Sequence, residues 1–181
     1  MNIAITGHSA GIGAALTKAY ESRGHTVIGL SRSNGHNIRN TTKICDQIES
    51  CDVFVNNAQA GYSQTELLFE MSQRWANTKK HIIVVSTMMT QYATSPLPGL
   101  DMDHYRMQKI TLEQSVHQLR QRNLWIRYTI VRPGDIATTI DKIVPPSADP
   151  NNWADSLLAM FDMASAHGLE IPDISLGPAY Q

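Results

Sequence analysis

The chain predicts an α/β fold, a Rossmann-like doubly wound parallel sheet in three α/β/α layers. Two observations carry most of that prediction. Short apolar runs of the buried-strand kind alternate with segments of helical periodicity along the chain. The first such run, Ile3 to Thr6, ends in a glycine-rich turn that opens a helix. Size supplies a third: 181 residues suit one domain, 1–181, with a substantial core.

Composition narrows the function classes. Hydrophobic residues make up 42% and charged residues 17%, the profile of a soluble globular protein. The formal net charge is −1 with both signs mixed, so no basic stripe points to nucleic acid or a membrane surface. No apolar run is long enough to span a bilayer. The N-terminus, Met1-Asn2-Ile3-Ala4-Ile5-Thr6, lacks the pattern of a signal peptide, and a cytoplasmic location is the expectation. Two cysteines, Cys45 and Cys51, make no disulfide framework; on a shared helix they would face different sides. The seven histidines show no ligand spacing, and no metal site is expected.

The elements follow in order. After the first strand, Ile12, Ala15, Leu16, Ala19 and Tyr20 recur at helical spacing, and Gly24 closes that helix. Thr26 to Ser31 is the second strand. The stretch from Arg32 to Asn40 is too brief for a full helix and strand, leaving at most a stub of strand at Asn37-Ile38. A short helix spans Asn40 to Ser50, with Ile44 and Ile48 on one face, and Val53 to Asn56 is a buried strand. A helix from Thr65 to Ala76 carries Leu67, Leu68, Met71 and Trp75 as its stripe, and a strand follows at Ile82 to Ser86. The next helix bears Tyr105 and Lys109 and continues through Leu112, Val116 and Leu119. Trp125 to Val131 is a strand, Trp153 to Ala166 a helix, and Ile171 to Leu176 a final short strand.

Three features carry chemistry. In Thr6-Gly7-His8-Ser9-Ala10-Gly11-Ile12-Gly13, glycines between a strand and a helix permit a tight turn and close backbone approach, and the helix start offers free N–H groups to a pyrophosphate. The bland alternative is a plain strand–helix turn; a Walker-type loop is excluded because no Gly-Lys-Ser/Thr follows. At the end of the second strand stand Ser31 and Arg32 with no acid. There an arginine suits a ribose 2′-phosphate, unless it is only a solvated surface residue. Tyr105 and Lys109, four residues apart, share a helix face, where an ammonium would favour the phenolate and suit the tyrosine to acid–base work. Taken alone that pair is weak evidence, since the spacing also arises by chance.

Together these residues resemble the short-chain dehydrogenase/reductase family in its classical form. The glycine turn resembles its TGxxxGIG segment, Asn56-Asn57-Ala58 the NNA of its NNAG motif, Ser86 its strand-end catalytic serine, and Tyr105 with Lys109 its YxxxK pair. Pro133-Gly134-Asp135-Ile136-Ala137-Thr138 resembles the segment that lines the nicotinamide. The glycine spacing favours this type over the sugar epimerases. The resemblance implies hydride transfer between nicotinamide and a carbonyl carbon, with Ser86, Tyr105 and Lys109 catalytic. It implies cofactor contacts from Gly7, Ser9, Ala10, Gly11, Ile12, Gly13, Ser31, Arg32, Asn37, Ile38, Asn57, Ala58, Tyr105, Lys109, Pro133, Gly134, Ile136 and Thr138. NADP(H) is expected over NAD(H), with a small carbonyl or alcohol substrate and a homodimer formed through the helices at 65–76 and 102–123.

The chain departs from the family in places. It is short, Asn37-Ile38 stands where Asp-Val is usual, and Gln59 replaces the glycine of NNAG. No asparagine occupies the place of the family's proton-relay asparagine; Gln64 or Ser63 is the substitute. Met88, Met89, Tyr92, Leu97, Leu100, Ile140 and Ile143 border the expected substrate site and suggest an open, mostly apolar pocket. These losses keep a second reading in view, a dinucleotide-binding sensor or interaction module with little catalysis.

Overall fold

The computed structural model of the chain describes residues 1–92, 102–123, 125–138 and 147–179. Leu97, Leu100, Ile140 and Ile143 lie outside these residues. Six strands form one parallel sheet: β1 Asn2–Thr6, β2 Thr26–Leu30, β3 Val53–Asn56, β4 His81–Val85, β5 Arg127–Pro133 and β6 Asp173–Leu176. Their order is β2-β1-β3-β4-β5-β6. Five helices join them: α1 Gly11–Ser22, α2 Thr41–Ile48, α3 Ser63–Arg74, α4 Asp103–Arg122 and α5 Pro150–Ala166.

Strand alternation sorts the core into two halves. Ile3, Ile5, Val53, Val55, Ile83 and Val85 face α1 and α5, where they meet Leu16, Tyr20, Trp153 and Leu157. Ala4, Phe54, Ile82, Val84 and Ile130 face α2, α3 and α4, against Ile44, Leu68, Met71, Leu112 and Val116. Both faces are covered, which is why the strands read as continuous apolar runs. Asp149 caps α5, its carboxylate accepting from the N–H groups of Asn151 and Asn152, with Pro150 at the first helical position.

The region after β2 is more reduced than expected. A single 3-10 turn, Arg32–Asn34, follows directly, and Asn37 and Ile38 form a turn rather than a stub of strand. Ile38 is 6% exposed and packs with Leu30 and Ile44. Burial of one apolar side chain there won over strand pairing. The chain then crosses to the other side of β1, so the strand order reverses between β1 and β3. A crevice opens at such a switch point, beyond the carboxyl ends of the strands.

Candidate active site

The glycine turn lies at the mouth of this crevice. Gly7 and Gly11 have φ of +74° and +53°, values that L side chains rarely adopt. A Cβ on Gly13 would lie 2.1 Å from the Gly7 carbonyl oxygen, so the turn and the helix touch backbone to backbone. Ala10, the residue before α1, offers no side-chain cap, and the first N–H groups of the helix remain available to an anion. Asn57 locks the turn from below. Its Nδ2 donates to the Thr6 carbonyl at 2.9 Å, while Thr6 Oγ1 accepts from the N–H groups of Asn57 and Ala58 at 3.0 and 3.1 Å. Thr138 rests against Gly11, where a Cβ would come 3.2 Å from its own Cβ. A cradle that a single methyl would fill, beside an uncapped helix start, fits a dinucleotide pyrophosphate.

The adenosine end is plainer. Ser31 and Asn34 form a capping box around the 3-10 turn, and Ser31 and Ser33 share a 2.7 Å hydroxyl contact. Arg32 is exposed at the rim. Asn37 accepts from the N–H of Arg39 at 3.1 Å, and the buried Ile38 turns its side chain into the core. On the far side, the Gly134 N–H donates to Leu176 O at 3.0 Å. A Cβ on Gly134 would come 2.9 Å from Gly177 Cα and 3.0 Å from Met88 Sδ, so the Pro133-Gly134 segment is held tightly between the chain end and Met88. Ile136 pairs with Ala148 in an isolated bridge.

The catalytic side is built from α4 and the end of β4. Lys109 is 3% exposed, and its Nζ donates to Gln64 Oε1 and to Val85 O, both at 2.8 Å. Gln64 in turn donates from Nε2 to Asn56 O at 2.7 Å and Val85 O at 3.0 Å, and Asn56 Nδ2 returns a bond to Gln64 O at 2.8 Å. Only this amide orientation serves both sides, because the reverse would set donor against donor at Lys109. Of the two candidate substitutes for the missing asparagine, Gln64 is the one that meets the lysine.

Ser86 and Thr87 divide differently from the sequence expectation. Ile82 and Val84 face α4, and Ser86 continues that side; its hydroxyl donates to Glu113 on α4. Tyr105 instead has Thr87 beside its hydroxyl, close enough to favour the phenolate but short of a full hydrogen bond. Thr87 Oγ1 also accepts from the Met89 N–H at 3.3 Å. The strand-end hydroxyl next to the tyrosine is therefore Thr87, a correction to the placement of Ser86.

Glu113 was not singled out from the sequence, although it follows Lys109 by one helical turn on the same face. It is 7% exposed, and its carboxylate also accepts from Thr90 at 2.9 Å and from Arg132 Nε and Nη2 at 3.0 and 2.7 Å. Arg132 continues to Asp173 at 3.2 Å.

The expected electrostatics of the pair are also corrected. Burial raises the Tyr105 pKa, against the smaller lowering from Thr87. Burial pushes Lys109 down to about 7, with Glu113 opposing. The ammonium lies 5.6 Å from the centre of the Tyr105 ring. Desolvation outweighs the opposing effects of Thr87 on Tyr105 and of Glu113 on Lys109, since the low-dielectric surroundings disfavour any charge.

No curated protein sequence matches the chain. Solved structures do. The chain is similar to a short-chain dehydrogenase from Burkholderia cenocepacia in complex with NADP, at 17% identity and TM-score 0.74, over 98% of this chain and 88% of that one. An alcohol dehydrogenase from the archaeon Thermococcus sibiricus, complexed with 5-hydroxy-NADP, aligns at 16% identity and TM-score 0.73, over 100% and 98%. The 3-alpha-hydroxysteroid dehydrogenase from Pseudomonas sp. B-0831, complexed with NADH, aligns at 18% and 0.70, over 97% and 95%. At these identities the likeness establishes the Rossmann-like fold. The model of the NAD dependent epimerase/dehydratase family matches residues 3–139, most of the sheet and both halves of the crevice, and the chain belongs to that family.

Proposed function

We propose that the protein is an NADP(H)-preferring oxidoreductase acting on a small carbonyl or alcohol, with Tyr105 as general acid and base. The observation that carries this is the convergence of Tyr105, Thr87 and the buried Lys109 at the strand end beside the glycine cradle. Gly7, Gly11, Gly13, Ser9, Ala10 and Ile12 would hold the pyrophosphate, Ser31 and Arg32 the adenosine ribose, and Pro133, Gly134, Ile136 and Thr138 the nicotinamide. When bound, the nicotinamide supplies or accepts the hydride.

The chain's own residues manage the proton. In reduction, Tyr105 Oη gives its proton to the carbonyl oxygen as that carbon gains the hydride; in oxidation it takes the proton back. Thr87, in the part assigned above to Ser86, donates to the same oxygen and stabilises developing charge. Lys109 keeps one N–H beyond its two internal bonds, enough to reach a ribose hydroxyl and to return a proton toward Tyr105. A bound substrate oxygen and cofactor ribose give both groups the polar partners that their burial withholds.

Reduction of a panel of small aldehydes and ketones by NADPH tests the reading. Turnover with several of them is expected, and binding of NADPH without turnover on any carbonyl would favour the sensor. That second reading rests on the missing asparagine and the shortened segments; the bond from Lys109 to Gln64 supports the catalytic reading over it. The cofactor preference rests on Arg32. Arg32→Ala should lower kcat/KM with NADPH about tenfold and leave NADH nearly unchanged; equal losses with both cofactors would refute the preference. A homodimer through α3 and α4, which expose Phe69 and Met107, is part of the proposal and is read by light scattering.

A further inference from the structure

At the amino ends of the strands, a second concave site lies under α1 and α5. It is a cavity of about 140 Å³ with walls that include Val53, Ile83, Leu158 and Phe161. His81, at the start of β4, lines it, some six residues and roughly 20 Å of strand from Thr87. The cavity is separate from the crevice already described and independent of the activity proposed there.

Two polar groups on this wall have no protein partner among the described residues. Thr129 donates its only hydroxyl proton to Ile171 O at 2.8 Å. The 2.9 Å contact between His81 Nε2 and Thr129 Oγ1 must then run from the ring N–H to the oxygen. Burial keeps the imidazole neutral, its pKa pushed down to about 3. Nδ1 is therefore a bare acceptor. Tyr20 is 6% exposed, stacks obliquely on His25 with ring centroids 5.8 Å apart, and has a hydroxyl with no hydrogen bond. Tyr20 and His81 both line the cavity, so an acceptor and a donor with no protein hydrogen bond are available on its wall to a ligand.

The charged groups at the rim are paired with one another. Arg23 pairs with Asp155 at 2.9 Å and Asp162 at 3.3 Å, and Arg127 with Glu170 at 3.9 Å. Nothing there selects an ion. The volume is close to that of an engineered apolar cavity of about 150 Å³ that takes up benzene. A ligand hydroxyl can donate to the imidazole nitrogen or accept from the phenol, since both residues line this cavity.

We infer that this cavity binds a small neutral aromatic molecule carrying a hydroxyl, held by His81 Nδ1 and the Tyr20 hydroxyl. Phenol and toluene, nearly equal in size, are the probes, titrated calorimetrically against the whole protein. Phenol should bind saturably with a millimolar Kd, at least about fivefold tighter than toluene. Ser165→Trp, on the exposed rim, should abolish binding of both, and His81→Phe should weaken phenol to the level of toluene. Both variants should bind NADPH as the wild type does. If His81→Phe fails to fold, Tyr20→Phe supplies the same reading. Absence of saturable phenol binding, equal affinity for the two probes, or indifference to Ser165→Trp overturns the proposal.

Discussion

The two sides of the crevice are made differently. The glycine side presents backbone: a turn with two left-handed residues, an uncapped helix start, and Asn57 beneath it bonded to main chain. The catalytic side presents side chains, and three of them, Lys109, Gln64 and Glu113, are almost fully buried. The first recognises by shape and tolerates no added atom. The second works by desolvated charge and depends on every hydrogen bond that keeps the charge in place.

That contrast can be broken from either side, and the glycine side should give the larger effect. Gly13→Val places methyl groups beyond a Cβ that already meets the Gly7 carbonyl at 2.1 Å. NADPH affinity should fall at least about a hundredfold in a fluorescence titration, with a lower Tm, because backbone must move. Tyr105→Phe should lower kcat by about a thousandfold while NADPH affinity stays within about twofold. Retention of a tenth of the activity would remove Tyr105 from the proton step.

The next test separates neighbouring hydroxyls. Thr87→Ala should cost about a hundredfold in kcat, the loss typical of a donor to a developing oxyanion. Ser86→Ala should cost less than about tenfold in kcat, since its hydroxyl is spent on Glu113 Oε1, which keeps Thr90 and Arg132 as donors. The reverse ranking would restore Ser86 to the catalytic position.

The smallest effect concerns pH. Lys109 has a folded pKa near 7, below that of a free lysine, so the unfolded chain binds the extra proton between the two values. Stability then rises with pH from about 7 upward, by at most about 1.4 kcal/mol per pH unit, and is level below. Cys45 and Cys51 act oppositely above about pH 9, because burial raises both thiols and folding then favours the bound proton. Lys109→Met removes the first slope and leaves the second. Urea unfolding at pH 7 and 8.5 should show a gain for wild type and little change for the variant; equal slopes would mean that Lys109 is charged and satisfied in the folded protein.

The glycine side was largely legible in the sequence because spacing alone specifies it. Gly7, Gly11 and Gly13 between an apolar run and a helical stripe leave few other folds, and the strands lie within a residue or two of their expected bounds. The helix-face relation of Tyr105 to Lys109 was legible for the same reason. What spacing did not decide was direction. Ser86 and Thr87 are adjacent in an extended stretch, and successive side chains there diverge. The alternation Ile82, Val84, Ser86 was the available signal, and it places Ser86 under α4. Proximity of Tyr105 to an ammonium is visible in the spacing, whereas the burial that raises its pKa is not. At Asn37-Ile38 spacing suggests a stub of strand, whereas a core contact claims the Ile38 side chain and the backbone turns.

The brevity of the segment between β2 and α2 has a consequence for the sheet as a whole. Among the described residues nothing pairs with the outer side of β2, so this five-residue strand is a margin, and the four-residue β6 is the other. Open backbone of this kind invites strands from other molecules to add on. Keeping both margins to a few residues limits how much ladder a stray chain could form there, so brevity guards the edges of the sheet.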